Sequence, residues 1–237
     1  LLAESLRKEQ QLSKLKDQFI TTVSHQFNTP LSVIKWALAS LEEKSVKREG
    51  IDEATRVIGK SQRDIVAIVN DLVTLSQVGF QYQKTNVKAV DMQRIVEKSL
   101  DYLSEIVKGK HLTVTVKAAG ASTVAPMNEF TMAKAIENLI DNAIAYSNDG
   151  SEVVIDIGGA DRELTLSISD RGIGIPAGDQ PSIFQQFFRA KNAIQKKNVG
   201  TGLGLFIAKT IVEGHGGKIS FRSTENQGST FTVSIPR

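Results

Sequence analysis

No cysteine occurs in this chain of 237 residues, which excludes disulfides and thiolate-held zinc and fits a reducing cytoplasm. Nor is there an apolar run of the roughly eighteen residues that a membrane-crossing helix needs, and no signal peptide is visible. The charge excess is only +3, too small to point to a nucleic acid. Internal repeats and low-complexity tracts are absent as well. What remains is ordinary for a folded protein, 41% apolar and 23% charged, with length for one or two domains and a sizeable core.

The chemistry concentrates between residues 129 and 205. Leu164, Leu166 and Ile168 alternate with Thr165, Ser167 and Ser169, the period of a strand with one buried face. Asp170 keeps the parity of the apolar set, so its carboxylate continues onto the core side where the strand ends. A carboxylate aimed inward is costly unless something hydrogen-bonds it. Gly172 and Gly174 follow and let backbone come close to a ligand. An acid beside a flat glycine floor suits the exocyclic amine of an adenine, although a surface turn would leave the same pattern. Residues 129–147 read as a helix with Ile136, Ile140 and Ile144 along one stripe and Asn138 and Asn142 on a face turned away from it. Paired amides offer neutral oxygens to a hydrated metal or a phosphate. Gly200-Thr201-Gly202-Leu203-Gly204-Leu205 then runs into the helical pattern of Phe206, Ile207, Ile211 and Val212, and a glycine-opened helix start suits a polyphosphate.

The first 80 residues read as a helical hairpin. Residues 1–45 keep a helical apolar pattern through Leu12, Leu15, Phe19, Val23, Phe27, Leu31, Ile34, Leu38 and Leu41. Glu49-Gly50 marks a turn, and residues 51–79 follow as a heptad of Ile51, Ala54, Ile58, Ser61, Ile65, Ile68, Leu72 and Leu75. Two helices with one narrow seam each bury it poorly alone. A homodimer forming a four-helix bundle is therefore expected, with a hairpin packed on the downstream domain as the other solution. From Leu15 to Leu31 every apolar step is four, which swings the seam around the first helix, and Pro30 is expected to bend it. His25 stands about 200° around the helix from Val23 and Phe27, hence outward, with Thr29 one turn further on the same face. A single exposed helical histidine is usually only solvated. On a chain that also binds a nucleotide, its neutral imidazole is a nucleophile for a γ-phosphate. His111 and His215 read as structural.

Residues 1–80 thus form one domain, with 1–18 as an incoming coiled-coil helix, residues 81–90 a polar linker, and residues 91–237 a second domain. Helices at 91–108, 129–147 and 202–214 and strands at 112–117, 152–157, 163–169, 217–222 and 229–235 predict an α/β sandwich with a largely antiparallel sheet. The segment 177–199 is long and polar for a compact domain and reads as a mobile lid. It carries Phe184, Phe187 and Phe188, as anchors or as the core of a short helix. Arg189, Lys191, Lys196 and Lys197 are placed to meet phosphates or the acceptor helix.

Four segments in order, Asn138-Leu139-Ile140-Asp141-Asn142-Ala143, then 170–176 (DRGIGIP), 183–188 (IFQQFF) and 200–205 (GTGLGL), resemble the nucleotide boxes of the GHKL ATP-binding domain of sensor histidine kinases. Ser24-His25-Gln26-Phe27-Asn28-Thr29-Pro30-Leu31 resembles the phosphoacceptor box of the same family. The resemblance implies an α+β protein: an antiparallel helical hairpin dimerising into a four-helix bundle, followed by an α/β sandwich of GHKL (Bergerat) type. It implies ATP and Mg2+ as cofactors. By similarity His25 is the phosphoacceptor, with Gln26 and Thr29 as further catalytic residues, and it passes its phosphoryl group to an aspartate of a response-regulator receiver domain. Asn142 would complete the magnesium coordination, with Asn138 supporting phosphate or metal-bound water. Asp170 would accept from the adenine amine above Gly172 and Gly174. Phe184, Phe187, Arg189, Gly200, Thr201, Gly202, Leu203 and Gly204 would complete the ATP site.

The chain opens in mid-helix, so an upstream sensor region is expected to be missing from this cytoplasmic part of a protein that is membrane-anchored at full length. Three residues depart from the family pattern. Gln26 stands where Glu or Asp is usual, Asn28 where Arg is usual, and Ala145 where a lysine is frequent, which removes a cation near the phosphates. Two other classes share the nucleotide boxes. One is a GHKL ATPase, with Glu137 or Asp141 as its base. The other is a nucleotide-binding dimerisation module without phosphoryl transfer.

Overall fold

The computed structural model describes the chain except for residues 1, 43–46, 79–85, 119–121, 161 and 198–199, with backbone alone described at 2–19, 75, 77 and 78. The chain divides into two compact units, Leu1–Val73 with Lys197–Thr201, and Thr74–Lys196 with Gly202–Arg237.

The first unit is built on two helices, α1 (Leu2–Leu41) and α2 (Arg48–Val78). On α2 the buried positions are Ala54, Ser61 and Ile68, each seven residues from the next, with Ile58, Ile65 and Leu72 half-buried between them. That is the heptad the sequence predicts, except that Ile51 is exposed. On α1 Pro30 and Ala37 are buried, and Val23, Phe27, Ile34 and Leu41 are half-buried. This seam alternates steps of four and three from Val23 onward, so it does not swing around the helix as the run of four-residue steps predicts. Leu31 and Leu38, expected in the seam, stand 49% and 50% exposed. Each is one residue, about 100°, around the helix from Pro30 or Ala37. The seam positions Leu12, Leu15, Phe19 and Leu75 lie outside the residues with described side chains. The helix continues through Pro30 to Leu41. Within this unit the Gly200 N–H donates to Gln26 Oε1 at 3.3 Å, and Thr201 Oγ1 donates to Asp71 Oδ2 at 2.6 Å.

The second unit is organised on a five-stranded sheet of order β2-β4-β5-β7-β6, made of β2 (Thr113–Ala118), β4 (Glu152–Ala160), β5 (Glu163–Asp170), β6 (Lys218–Thr224) and β7 (Gly228–Pro236). Its pairs are antiparallel apart from β2 with β4. A parallel pair needs a crossover, which β3 (Val124–Met127) and α4 (Glu129–Tyr146) supply. Register places Ile155 opposite Ile168, and Ile168 opposite Phe231, so one face of the three central strands is apolar and buried. On the other face Ser167 meets Thr232 and Ser169 meets Thr230, hydroxyl to hydroxyl, at 3.0 and 2.9 Å. Three longer helices complete the unit, α3 (Met92–Gly109), α4, and α6 (Gly204–Gly214), with the short α5 (Lys191–Lys196) before the last. Their apolar stripes are buried, including Ile95 and Leu103 on α3, Ile136 and Ile140 on α4, and Ile207 and Ile211 on α6.

Two expectations need correction. The stretch 81–90 is not linker to its end: Lys88–Asp91 forms β1, paired antiparallel with β3, while 81–85 lie outside the described residues. Strand β3 itself is not foreseen in the sequence, because four residues that include Pro126 carry too little alternation to register as a strand. Asp91 closes this corner, accepting from the Gln93 N–H at 3.0 Å as the N-cap of α3 and from Thr123 Oγ1 at 2.7 Å.

Lys110, just past α3, holds the far end of α4. Its Nζ donates to the carbonyl oxygens of Ile144, Ala145 and Ser147 at 2.8, 2.9 and 2.8 Å, so three ammonium protons meet three carbonyls that the helix end leaves unpaired. Hydrogen bonds from a partly buried charge are among the stronger ones. Lys110→Met should therefore lower the stability of the second unit by about 2–3 kcal/mol, read as a lower urea midpoint. A midpoint equal to that of the parent would contradict this account of the helix end.

Candidate nucleotide site

Asp170 is the last residue of β5. Its parity carries the carboxylate inward, as the alternation predicts. Oδ1 accepts from the Gly172 N–H at 2.9 Å, and the backbone of Ser229 also donates to this side chain. Burial outweighs these two amides and pushes the carboxyl up to about 6. The close approach at Gly172 follows from the way the chain turns back on α4. Ile173 N–H donates to Tyr146 O at 3.2 Å, and Gly172 bridges to Ser147. A Cβ on Gly172 would lie 2.2 Å from Tyr146 O and 2.8 Å from Asp170 Oδ1, so no side chain fits there. Gly228 is excluded from substitution in the same way, its would-be Cβ falling 2.0 Å from Asp170 O.

Asn142 lies one turn before Tyr146 on α4, half-buried, so the carboxylate turn and this amide meet the same end of one helix. Asn138, a turn earlier, spends its Nδ2 on Gly204 O at 3.2 Å, which ties α4 to the start of α6 and leaves Oδ1 as its acceptor. Gly202, Leu203 and Gly204 lead into α6, and Phe187 N–H donates to Gly202 O at 3.1 Å. Two atoms close to the turn are buried without a partner among the described residues, Ser147 Oγ and Asn192 Oδ1. Buried polar atoms left open in this way fit a pocket completed by a polar ligand or ordered water.

Within the expected lid, residues 179–192 are anchored at several points, while 198 and 199 lie outside the described residues. Ile183 and Ala190 are buried, and Phe184 packs edge-on against Phe221 and Phe231 at 5.8 and 6.4 Å, with Lys209 Nζ 5.4 Å from its centroid. Asn192 Nδ2 donates to Ile173 O and Gly174 O at 3.3 and 2.9 Å, and Lys191 N–H to Asp179 Oδ2 at 3.0 Å. Phe184, half-buried, thus packs against the sheet, although it lies outside any short helix. Arg189 Nη2 donates to Ala193 O at 3.2 Å. Asn192 and Ser229 take part in this turn although neither stands out in the sequence. The parity of β7 is the one signal for Ser229; Asn192 has none, because its partners lie 18 and 19 residues away.

His25, Gln26, Thr29, Gly200 and Thr201 belong to the first unit, and the other candidate residues to the second. His25 is exposed on α1, as the helical phase predicts. Thr29 Oγ1 donates to His25 O at 3.1 Å, a bond within the helix backbone that leaves the imidazole untouched.

The raised carboxyl of Asp170 costs the protein stability at neutral pH. A group whose folded pKa lies above its unfolded value contributes stability that is present below the unfolded pKa, here 3.8, and lost as pH rises through about 6. Asp170→Asn keeps an acceptor for the Gly172 N–H and carries no charge to desolvate. At pH 7.5 it should be more stable than the parent by up to about 3 kcal/mol, and the gap should close toward pH 4. Urea unfolding at the two pH values checks this, and a gap of equal size at both would contradict it.

Residues 15–80 match the family described as His Kinase A (phospho-acceptor) domain, and residues 127–237 the family described as Histidine kinase-, DNA gyrase B-, and HSP90-like ATPase. The sensor-like histidine kinase SenX3 of Mycolicibacterium smegmatis is 33% identical over 222 residues, 92% of this chain and 56% of that protein. Sensor histidine kinase WalK of Bacillus subtilis is 29% identical over 231 residues, 96% of this chain and 38% of that protein. The chain therefore spans only part of the length of these relatives. Histidine kinase ThkA, solved in complex with the response regulator protein TrrA, shares the fold with a TM-score of 0.74, covering 98% of this chain and 65% of that one at 16% identity. A phosphoacceptor domain followed by a GHKL ATPase domain, in an α+β chain with relatives of this kind, places the protein in the sensor histidine kinase family, of which it is a catalytic core.

Proposed function

We infer that this chain binds ATP in the second unit, transfers its γ-phosphoryl group to His25, and passes that group on to an aspartate of a response-regulator receiver domain. The observation that carries the reading is a half-buried, amide-held carboxylate at Asp170 on the same chain as an exposed helical imidazole at His25. The carboxylate supports recognition of a base with an exocyclic amine. The exposed imidazole supports nucleophilic attack through a ring-nitrogen lone pair.

Asn142 and Asn138 Oδ1 are hard, neutral oxygens of the kind a magnesium ion accepts, and Mg2+ usually keeps waters and substrate phosphates as its other ligands. Among the described residues no group of three or more His, Cys, Asp or Glu side chains could hold a metal alone, which accords with an ion brought in by the triphosphate. When bound, that ion would supply charge neutralisation on the phosphates. The start of α6, opened by Gly202 and Gly204 and without a side-chain cap, turns its first-turn N–H groups toward the same anion.

In the transfer itself a neutral imidazole nitrogen of His25 attacks the γ-phosphorus. The bond from that phosphorus to the bridging oxygen breaks, ADP leaves with the electron pair, and the remaining imidazole N–H can release its proton to solvent. An aspartate oxygen of the receiver then displaces the imidazole. The ATPase alternative receives no support at Glu137, which is paired with Lys134 at 3.7 Å on the surface of α4. The second copy of the chain that this reading requires has a surface to meet. Leu31, Trp36 and Leu38 on α1 and Val66, Val69 and Val73 on α2 are exposed.

Incubation with γ-labelled ATP and Mg2+ tests the reading. The label should sit on protein in a form stable to base and lost in acid, and His25→Ala should abolish it. Persistent label on His25→Ala, or free phosphate without labelled protein, would overturn the assignment. Gln26→Glu should speed the step by about tenfold, because a carboxylate beside the acceptor stabilises the cation forming during attack where a neutral amide does not. Single-turnover labelling at saturating Mg-ATP measures it, and a variant no faster than the parent from pH 6 to 9 would refute that argument.

A further inference from the structure

His215 follows α6 directly, and its backbone N–H donates to Ile211 O and Val212 O at 3.2 and 3.1 Å. Its ring makes two further bonds. Nδ1 lies 2.7 Å from Ile211 O, and Nε2 accepts from the Asn128 N–H at 3.1 Å. A carbonyl oxygen only accepts, so Nδ1 carries the proton. A backbone N–H only donates, so Nε2 presents its lone pair. One neutral tautomer satisfies both.

The residue at the other end of this bridge is no ordinary loop position. Asn128 is the N-cap of α4, with its Oδ1 accepting from the Thr131 N–H at 3.2 Å and its carbonyl from the Met132 N–H at 3.0 Å. The ring therefore joins the end of α6 to the start of α4. At the opposite end of the pair Asn138 Nδ2 meets Gly204 O. The intervals 128 to 138 on α4 and 204 to 215 on α6 agree within about 2 Å at a rise of roughly 1.5 Å per residue. Two antiparallel helices are thus pinned at both ends of the same stretch. Between the pins the buried residues past Thr131 are apolar, among them Met132, Ala135 and Ile136 on α4 and Ile207, Ala208 and Ile211 on α6, and apolar contact has no direction of its own. Without the polar bonds little opposes a small slide along the helix axes. Such a slide would move the glycine-opened start of α6 past Asn142.

We propose that His215 is a positioning residue for the nucleotide site: through the Nε2 bond to the Asn128 N–H it sets the register of α4 against α6, and with it the spacing of Asn142 from the phosphate-binding start of α6. The proposal rests on the ATP reading above. His215 touches neither ATP nor the acceptor imidazole, and acts through the two helices.

Three substitutions separate this role from a purely local helix cap. In His215→Gln the carboxamide oxygen reaches the place of Nε2 and can keep the Asn128 bond. In His215→Asn the amide nitrogen reaches the place of Nδ1 and can keep the Ile211 bond alone. His215→Phe keeps the ring and neither bond. The KM for Mg-ATP should rise between about threefold and tenfold in the Asn and Phe variants, the loss expected for one hydrogen bond, with a smaller change in kcat. The Gln variant should stay within about twofold of the parent. In the nucleotide-free protein the Asn128 amide should exchange faster in the Asn and Phe variants only, and nitrogen chemical shifts of the parent ring should report the Nδ1-protonated neutral tautomer. The opposite tautomer, an Asn variant matching the parent while Gln fails, or unchanged KM and exchange in all three would overturn the proposal. If the parent shows no labelled His25, the kinase reading fails, and exchange at Asn128 with the ring tautomer still decides this one.

Discussion

The carboxylate of Asp170 is half-buried where two backbone amides, of Gly172 and Ser229, have to come to it. To reach it the chain leaves β5 and turns back against the last turn of α4 on one side and the start of β7 on the other. Both approaches are so close that a Cβ at Gly172 or Gly228 would sit inside a carbonyl oxygen. The two amides do not fully offset the desolvation, which is why the carboxyl is pushed up to about 6. A structural role would be better served by a neutral side chain. An acceptor retained at that cost makes sense if a ligand donor completes it.

The helices around this turn are held by polar bonds at their ends and by apolar contact along their lengths. Lys110 satisfies the carbonyls at the close of α4, and Asn138 joins the middle of α4 to the start of α6. Each bond crosses between elements that the strands and the apolar core place near one another without fixing their axial register. The apolar core supplies most of the stability, being proportional to area and indifferent to direction. Register comes from the few bonds that are directional, and these lie next to the residues expected to bind the nucleotide.

That division explains what could be read from the sequence. Properties with a period were legible: the alternation ending at Asp170, the stripe of Ile136, Ile140 and Ile144, the heptad of α2, the outward phase of His25. Each follows from the chain's own geometry over about ten residues. Partners distant in the chain were not. His215 looked merely structural because its partner Asn128 lies 87 residues away, and Lys110 gave no sign of capping a helix 34 to 37 residues further on. Short elements were lost for a different reason. Strand β3, four residues long with Pro126 inside, has too few positions to show a period. The segment 177–199 reads as a lid from its length, polarity and flanking glycines, and those signals do not show that Phe184 packs on the sheet or that Asn192 bonds the glycine turn.

The helical unit shows how a pattern can be right in kind and wrong in phase. Of its five buried seam positions among the described residues three are small, Ala37 on α1 and Ala54 and Ser61 on α2, beside Pro30 and Ile68, while the larger Leu31, Leu38, Val66, Val69 and Val73 remain in solvent. A hairpin folding for itself alone would do the reverse, since burying each large aliphatic side chain is worth roughly 1.5–3 kcal/mol and burying alanine far less. Small residues let two helices approach closely, and the bulk then stands beside the seam. Trp36, 67% exposed, belongs to the same outer surface of α1. Apolar surface of that extent on two helices is the sort that a second copy covers. The apolar stripe of α1 has a buried edge through Pro30 and Ala37 and an exposed edge through Leu31 and Leu38, about 100° apart around the helix. A seam read as a single line of contacts therefore seemed to wander, when the residues belong to two lines side by side.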